Sequence, residues 1–178
     1  FEDFREHEAV MFVKELTKQG FSYDAPPTAM LYFNADFELD KEFSDYLLRR
    51  IGGKENAVEF GRLMKKFADD AGIEEFLESQ NEFYAQTVND FAEQLNEFQE
   101  IQTIEDFFGK KQNSYNIVLS VLNAGNYGPS ITMNGKTDIY NIMSAKGTKG
   151  GKPTFGKIED VRYLVWHEFG HSFVNHLT

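Results

Sequence analysis

Along the first 110 residues, apolar positions recur at helical spacing, and capping residues or glycines separate the recurrences. In the opening segment Ala9, Phe12, Val13 and Leu16 fall at i, i+3, i+4 and i+7, with Gly20 where a C-cap belongs. That spacing predicts a helix over roughly 2–19. Asp24 ahead of Pro26 and Pro27 predicts a short second helix, because proline is tolerated in a first turn whose N–H groups lack an intrahelical partner. Asp40 opens a predicted third helix, about 41–51, which Gly52 and Gly53 end. Phe60, Leu63, Met64 and Phe67 define a fourth over about 55–68, stopping before Gly72. From Ile73 to Gln99 the stripe Tyr84, Val88, Phe91, Leu95 and Phe98 steps by four and three, which reads as one long bundle helix. Thr103 to Phe108 adds a short helix ended by Gly109.

After residue 110 the period changes. Ile117-Val118-Leu119-Ser120-Val121-Leu122 is a β-branched apolar run, followed by the breakers Asn123 to Pro129, and predicts a buried strand. Ile131 to Met133 and Thr137 to Ser144 flank Asn134-Gly135, the dipeptide of a two-residue type I′ hairpin. Lys146 to Gly156 holds four glycines and reads as a mobile loop; the spacing of a phosphate-binding P-loop is absent. Ile158, Val161, Leu164 and Val165 restore helical spacing, with Glu159 and Asp160 in the first turn, where the helix dipole favours them. The predicted fold class is therefore α+β: a helical region over 1–110, then a small sheet and a final helix over 111–178.

Composition narrows the functional classes. Hydrophobic residues make up 41% and charged residues 26% of the 178, as in ordinary globular chains. Aromatics reach 15%, so rings must fill much of the core. There is no cysteine, which excludes disulfides, iron–sulfur clusters and a thiol nucleophile and leaves any metal to His, Asp or Glu. Residues 1–110 carry 25 acidic and 11 basic side chains, residues 111–178 only 4 and 7, within a net charge of −11. Such a balance repels phosphate backbones, so nucleic acid is not an expected partner. No apolar run approaches the roughly 18 residues of a membrane span, and the N-terminus has no signal-peptide pattern, although it also lacks an initiator Met.

The chemistry concentrates in His167-Glu168-Phe169-Gly170-His171. Residues four apart on a helix point the same way, so His167 and His171 can present imidazole nitrogens to one zinc ion at about 2.0–2.1 Å. Glu168 lies about 100° further round and can border the open coordination position without filling it. It is placed to act as general base, taking a proton from a zinc-activated water that attacks a peptide carbonyl and passing it to the leaving amine. Shuffling a chain of this composition produces the motif in only about 1% of cases. Its neighbours Val165, Phe169, Gly170 and Ser172 are uncharged, as a helix packed on a sheet beside a cation requires.

In this motif and its flanks the chain resembles the zincin metallopeptidases, whose His-Glu-x-x-His helix lies behind a small sheet with a substrate-holding edge strand. The wider layout is Leu122 to Gly128, the strand Ile139 to Met143, and Trp166-His167-Glu168-Phe169-Gly170-His171-Ser172-Phe173. It resembles a bacterial family of uncharacterised zincins known only as a domain of unknown function. The resemblance implies Zn2+ as cofactor, a peptide or protein substrate, and a secreted or cell-envelope location.

The metzincin extension is missing, since its glycine and third-histidine positions hold Val174 and Leu177. His176 is about 900° from His167 at 100° per residue, on the opposite helix face, and is expected as an ordinary surface or core histidine. A gluzincin-like scheme takes its third ligand from a later helix, so that ligand is expected beyond Thr178 and the chain reads as the N-terminal part of a larger catalytic domain. His7, between Glu6 and Glu8, reads as part of a solvated helix face. Tyr140, on the expected edge strand, and Tyr127 or Asn126 before it are candidate oxyanion donors, with packing or turn chemistry as the alternative. A Ser-His-Asp hydrolase lacks its G-x-S-x-G elbow. The rival to a peptidase is a non-catalytic interaction or binding module with a vestigial or incomplete metal site.

Overall fold

The computed structural model describes residues 2–95 and 99–174. Phe98 and His176, which enter the sequence expectations above, lie outside them. The chain divides into two compact units, Phe1–Asn81 and Glu82–Thr178.

The first unit is helical. A short 3-10 turn, Glu2–Phe4, precedes α1 (Glu8–Lys18), α2 (Ala25–Met30), α3 (Asp45–Ile51), α4 (Lys54–Asp70) and α5 (Ile73–Ser79). The first predicted helix thus starts late, because the His7 ring caps it by accepting from the Ala9 N–H at 3.1 Å. His7 is not on a solvated face. Its Nε2 meets Asp70 Oδ2 at 3.0 Å, and its ring packs edge-on to Phe67. The third helix begins at Ser44 instead of Asp40, since the Ser44 hydroxyl accepts from the Leu47 N–H. Aromatic rings fill this core: Phe21 meets Phe60 and Tyr32 meets Phe43, both edge-to-face, at centroid distances of 5.3 and 5.0 Å.

The second unit, also taking in residues that the spacing assigns to the helical region, carries α6 (Asn81–Gln94), α7 (Glu100–Phe108), the strands and α8 (Ile158–Val174). The single helix expected over 73–99 is two helices, α5 and α6, broken at Gln80. There the Ser79 hydroxyl turns back onto the Phe76 carbonyl, and the Gln80 backbone leaves helical geometry at φ −103° and ψ 5°. Strands β1 (Ser114–Ser120), β2 (Ser130–Met133) and β3 (Lys136–Ser144) form one sheet in the order β1-β3-β2, with β1 parallel and β2 antiparallel to β3. The hairpin between β2 and β3 turns at Asn134 and Gly135, both with positive φ (52° and 75°), as a type I′ turn requires. Tyr127 pairs with Ile142 in the same register, so the chain from Tyr127 to Met133 follows β3 almost continuously. The strand Ile139 to Met143 is therefore central, and the edges are β1 and β2.

The buried apolar run ends sooner than its composition suggests. β1 stops at Ser120, and Leu122 is 91% exposed in the connection that follows. The lysine- and glycine-rich segment is ordered as a second hairpin, β4 (Gly147–Lys149) with β5 (Lys152–Thr154), turning through Gly150 and Gly151 at positive φ. Here two glycines in succession serve as the turn itself.

α8 lies on the sheet face formed by Ile139 and Met143. Val161, Val165, Phe169 and Phe173 bury this contact, which Phe91, Ile104 and Phe155 complete. Tyr115 of β1 meets Phe169 edge-on at 5.5 Å, while Phe108 of α7 stacks on Phe173 at 4.6 Å. An ion pair between Arg162 and Glu100, 2.7 Å, joins α7 to α8. Phe169 is fully buried at the centre of this contact. Phe169→Ala is expected to lower the unfolding free energy by roughly 3–5 kcal/mol in urea titration, with an unchanged denaturant slope.

Candidate metal centre

α8 places His167, Glu168 and His171 on adjoining positions, and it does so by burying one side of the motif. Phe169 and Val165 face the sheet, which leaves His167 exposed and His171 half-buried. The Nε2 atoms of the two histidines stand 3.2 Å apart, with ring planes at 86°. Tyr163, one turn earlier, stacks on His167 at 5.9 Å and flanks the pair. Ligand atoms of His167, Glu168 and His171 all lie within 4.8 Å of one another, the one such convergence of three or more His, Asp or Glu groups among the described residues.

This donor set fits a divalent ion that accepts nitrogen and oxygen. Two ligands bound tetrahedrally at about 2.0–2.1 Å are about 3.3–3.4 Å apart. The observed 3.2 Å is close to that separation, so both imidazoles could hold a single ion without rearrangement of the helix. The spacing of four residues supplies this geometry directly.

Glu168 is only 6% exposed, although it is an acid. Burial pushes its carboxyl above the ordinary carboxylate range, and the neighbouring His167 and His171 pull it partly back. A carboxyl held in this way is suited to exchanging protons, because its two protonation states lie closer in energy near neutral pH.

The cause of this burial is a contact that sequence reasoning did not reveal. Gly128, just ahead of β2, packs directly under the backbone of Glu168. A Cβ built there would stand 2.9 Å from the Glu168 carbonyl carbon, 3.0 Å from its Cα, and nearer still to its carbonyl oxygen. Opposite Gly128 in the ladder register is Asn141 of β3, on the same sheet face as Ile139 and Met143. Asn141 is completely buried, and neither its amide oxygen nor its amide nitrogen has a partner. A polar residue at an inward position of an apolar strand was the one available signal for it.

The proposed oxyanion donors are placed differently. By strand alternation Tyr127 and Tyr140 share the sheet face of Ile142, opposite the face that receives α8. The structure therefore does not bring either phenol to the histidines. Asn126 is engaged in the sheet, where its side-chain oxygen accepts from the Ser144 N–H at 3.0 Å.

Two outcomes follow from this geometry. Gly128→Ala must lift α8 from the sheet and is expected to cost about 1–3 kcal/mol in urea titration. For Glu168 the folded chain holds its proton more tightly than the unfolded chain, so stability of the metal-free protein falls as pH rises from about 4.3 towards the raised value. Metal-free Glu168→Gln is therefore expected to melt above wild type at pH 7, with the difference gone below about pH 4.

Comparison with known proteins adds a family and no activity. No curated protein and no solved structure matches the chain. A family model described as a domain of unknown function, DUF4932, matches residues 1–178, and the chain belongs to that family.

Proposed function

We propose that the chain carries the metal-binding helix of a zinc-dependent peptidase of the zincin type, closest in scheme to the gluzincins. The observation that carries this reading is the 3.2 Å approach of the two imidazole nitrogens beside a buried carboxyl. A structural histidine pair needs no such acid, and burying a carboxyl is costly.

His167 and His171 would hold the ion through Nε2. When bound, zinc acidifies a coordinated water and polarises a carbonyl oxygen as a Lewis acid. Glu168 would take the proton of the attacking water on a carboxylate oxygen and pass it on to the amine leaving group. Phe169 and Val165, fully buried beneath, fix the helix rotation that keeps both histidines turned to the same side. Tyr163 restricts the His167 ring from the other side.

The test is zinc content and peptide hydrolysis on protein expressed from the full-length gene. Wild type is expected to retain about one zinc per chain after dialysis against a weak chelator and to cleave an unstructured protein such as casein. His171→Ala should lose both zinc and cleavage. Glu168→Gln should keep the zinc and lose about 10²–10⁴-fold in rate. Undiminished cleavage by Glu168→Gln would remove the mechanism; retained zinc with no cleavage by wild type would support the non-catalytic module.

A further inference from the structure

Beside His171 a groove of about 430 Å³ opens between the C-terminal half of α8, the edge strand β2 and the turn that links α7 to β1. Its chemistry is unlike that of the rest of the chain. In a protein with a net charge of −11, its lining includes no carboxylate among the described residues. The lining holds Lys110, the amide of Gln112, and hydroxyls from Ser130, Thr132 and Ser172. Lys110 is exposed, and no ion pair of its ammonium is found among the described residues. Gln112 Nε2 and Ser172 Oγ are both buried without a hydrogen-bond partner. Asp138, the nearest acid on β3, is turned to the other sheet face, where Asn113 and Ser114 each donate to it at 2.6 Å.

Three features of this groove point the same way. The Thr132 and Thr137 hydroxyls in its lining bond each other at 2.8 Å, whereas Gln112 Nε2 and Ser172 Oγ lack a partner, so an occupant with acceptor oxygens would satisfy atoms that the protein leaves unpaired. One cation without a local counter-charge matches a ligand with a single negative charge better than a doubly charged phosphate. Its wall β2 is a sheet edge, with one side on β3 and the other without a strand partner among the described residues, so an extended peptide can be added alongside.

We infer that this groove is a subsite for a peptide carboxylate, held by Lys110 with Gln112 and Ser172, while the adjoining peptide chain lies along β2 towards His171. The inference deepens the peptidase reading and rests on it for the identity of the ligand as a peptide. The carboxylate has two sources, a free C-terminus or an Asp or Glu side chain, and the same groove chemistry serves either.

The test is fluorescence anisotropy on protein stripped of metal with EDTA, where no cleavage occurs and no ion competes for the carboxylate. Three labelled probes share the sequence Gly-Ala-Val-Ala-Val: one with a free C-terminus, one with a C-terminal amide, and one amidated with Glu replacing the second Ala. The free-acid probe is expected to bind about five- to tenfold more tightly than the plain amide at low salt, and Lys110→Gln should abolish that difference. Recovery of tight binding by the Glu probe, again lost in Lys110→Gln, would support the inference and identify a side-chain carboxylate as the source. Equal binding of all three probes, no binding up to millimolar protein, or a preference that survives Lys110→Gln would overturn it. Because metal is absent throughout, failure here leaves the zinc-retention and Glu168→Gln results standing, and failure of those leaves this binding result standing.

Discussion

α8 can reach the sheet only because one residue under it has no side chain. At Gly128 the backbone of the edge segment touches the backbone of Glu168, and any larger residue would hold the two apart. That contact fixes the height of the helix over the sheet, while Phe169, Val165 and Val161 fix its rotation. Height and rotation together decide that Glu168 is buried, His171 is half-buried and His167 faces outward. The electrostatics of the centre follow. Without the close approach, water would reach the carboxyl and burial would no longer raise its proton affinity.

Much of this arrangement was legible in local sequence. Asn134-Gly135 announces its turn because both residues tolerate positive φ, and the alternation of period between residues 110 and 158 announces a sheet between helices. The pair His167 and His171 announces a shared helix face. The misplaced features depend on partners distant in the chain. Whether Ile139 to Met143 is central or at an edge depends on β1, which crosses over to pair on its far side. The break at Gln80 is invisible to a stripe of apolar residues, since α5 and α6 each keep their own helical spacing. Gly150 and Gly151 read as part of a mobile loop until the strands on both sides are seen to pair.

The second unit also concentrates polar groups where apolar ones would be more stable. Asn141 sits with its whole amide unpaired amid Ile139, Met143 and the α8 core, and Glu168 lies nearby across Gly128. Each such group costs about 1–3 kcal/mol that a similarly shaped hydrocarbon would not. In the first unit the Thr28 hydroxyl is buried without a partner, but the rings meet edge-to-face, and His7 and Arg50, whose guanidinium donates to the Gly20 and Ser22 carbonyls, are paired. Stability is thus surrendered in the unit that holds the histidines, as is common where a surface must act on something besides itself.

The ladder between Gly128 and Asn141 carries a rule about chain length. Side chains alternate between faces with a period of two, and Gly128 must lie on the α8 face. Substitutions at Thr132, Met133 or Lys136 leave that parity intact. A single residue inserted or deleted between Gly128 and the Asn134-Gly135 turn reverses it, bringing Tyr127 or Pro129 under Glu168 in place of the glycine. Homologous chains that keep the same helix contact must therefore vary this segment in length by pairs of residues, or absorb an odd residue in a bulge.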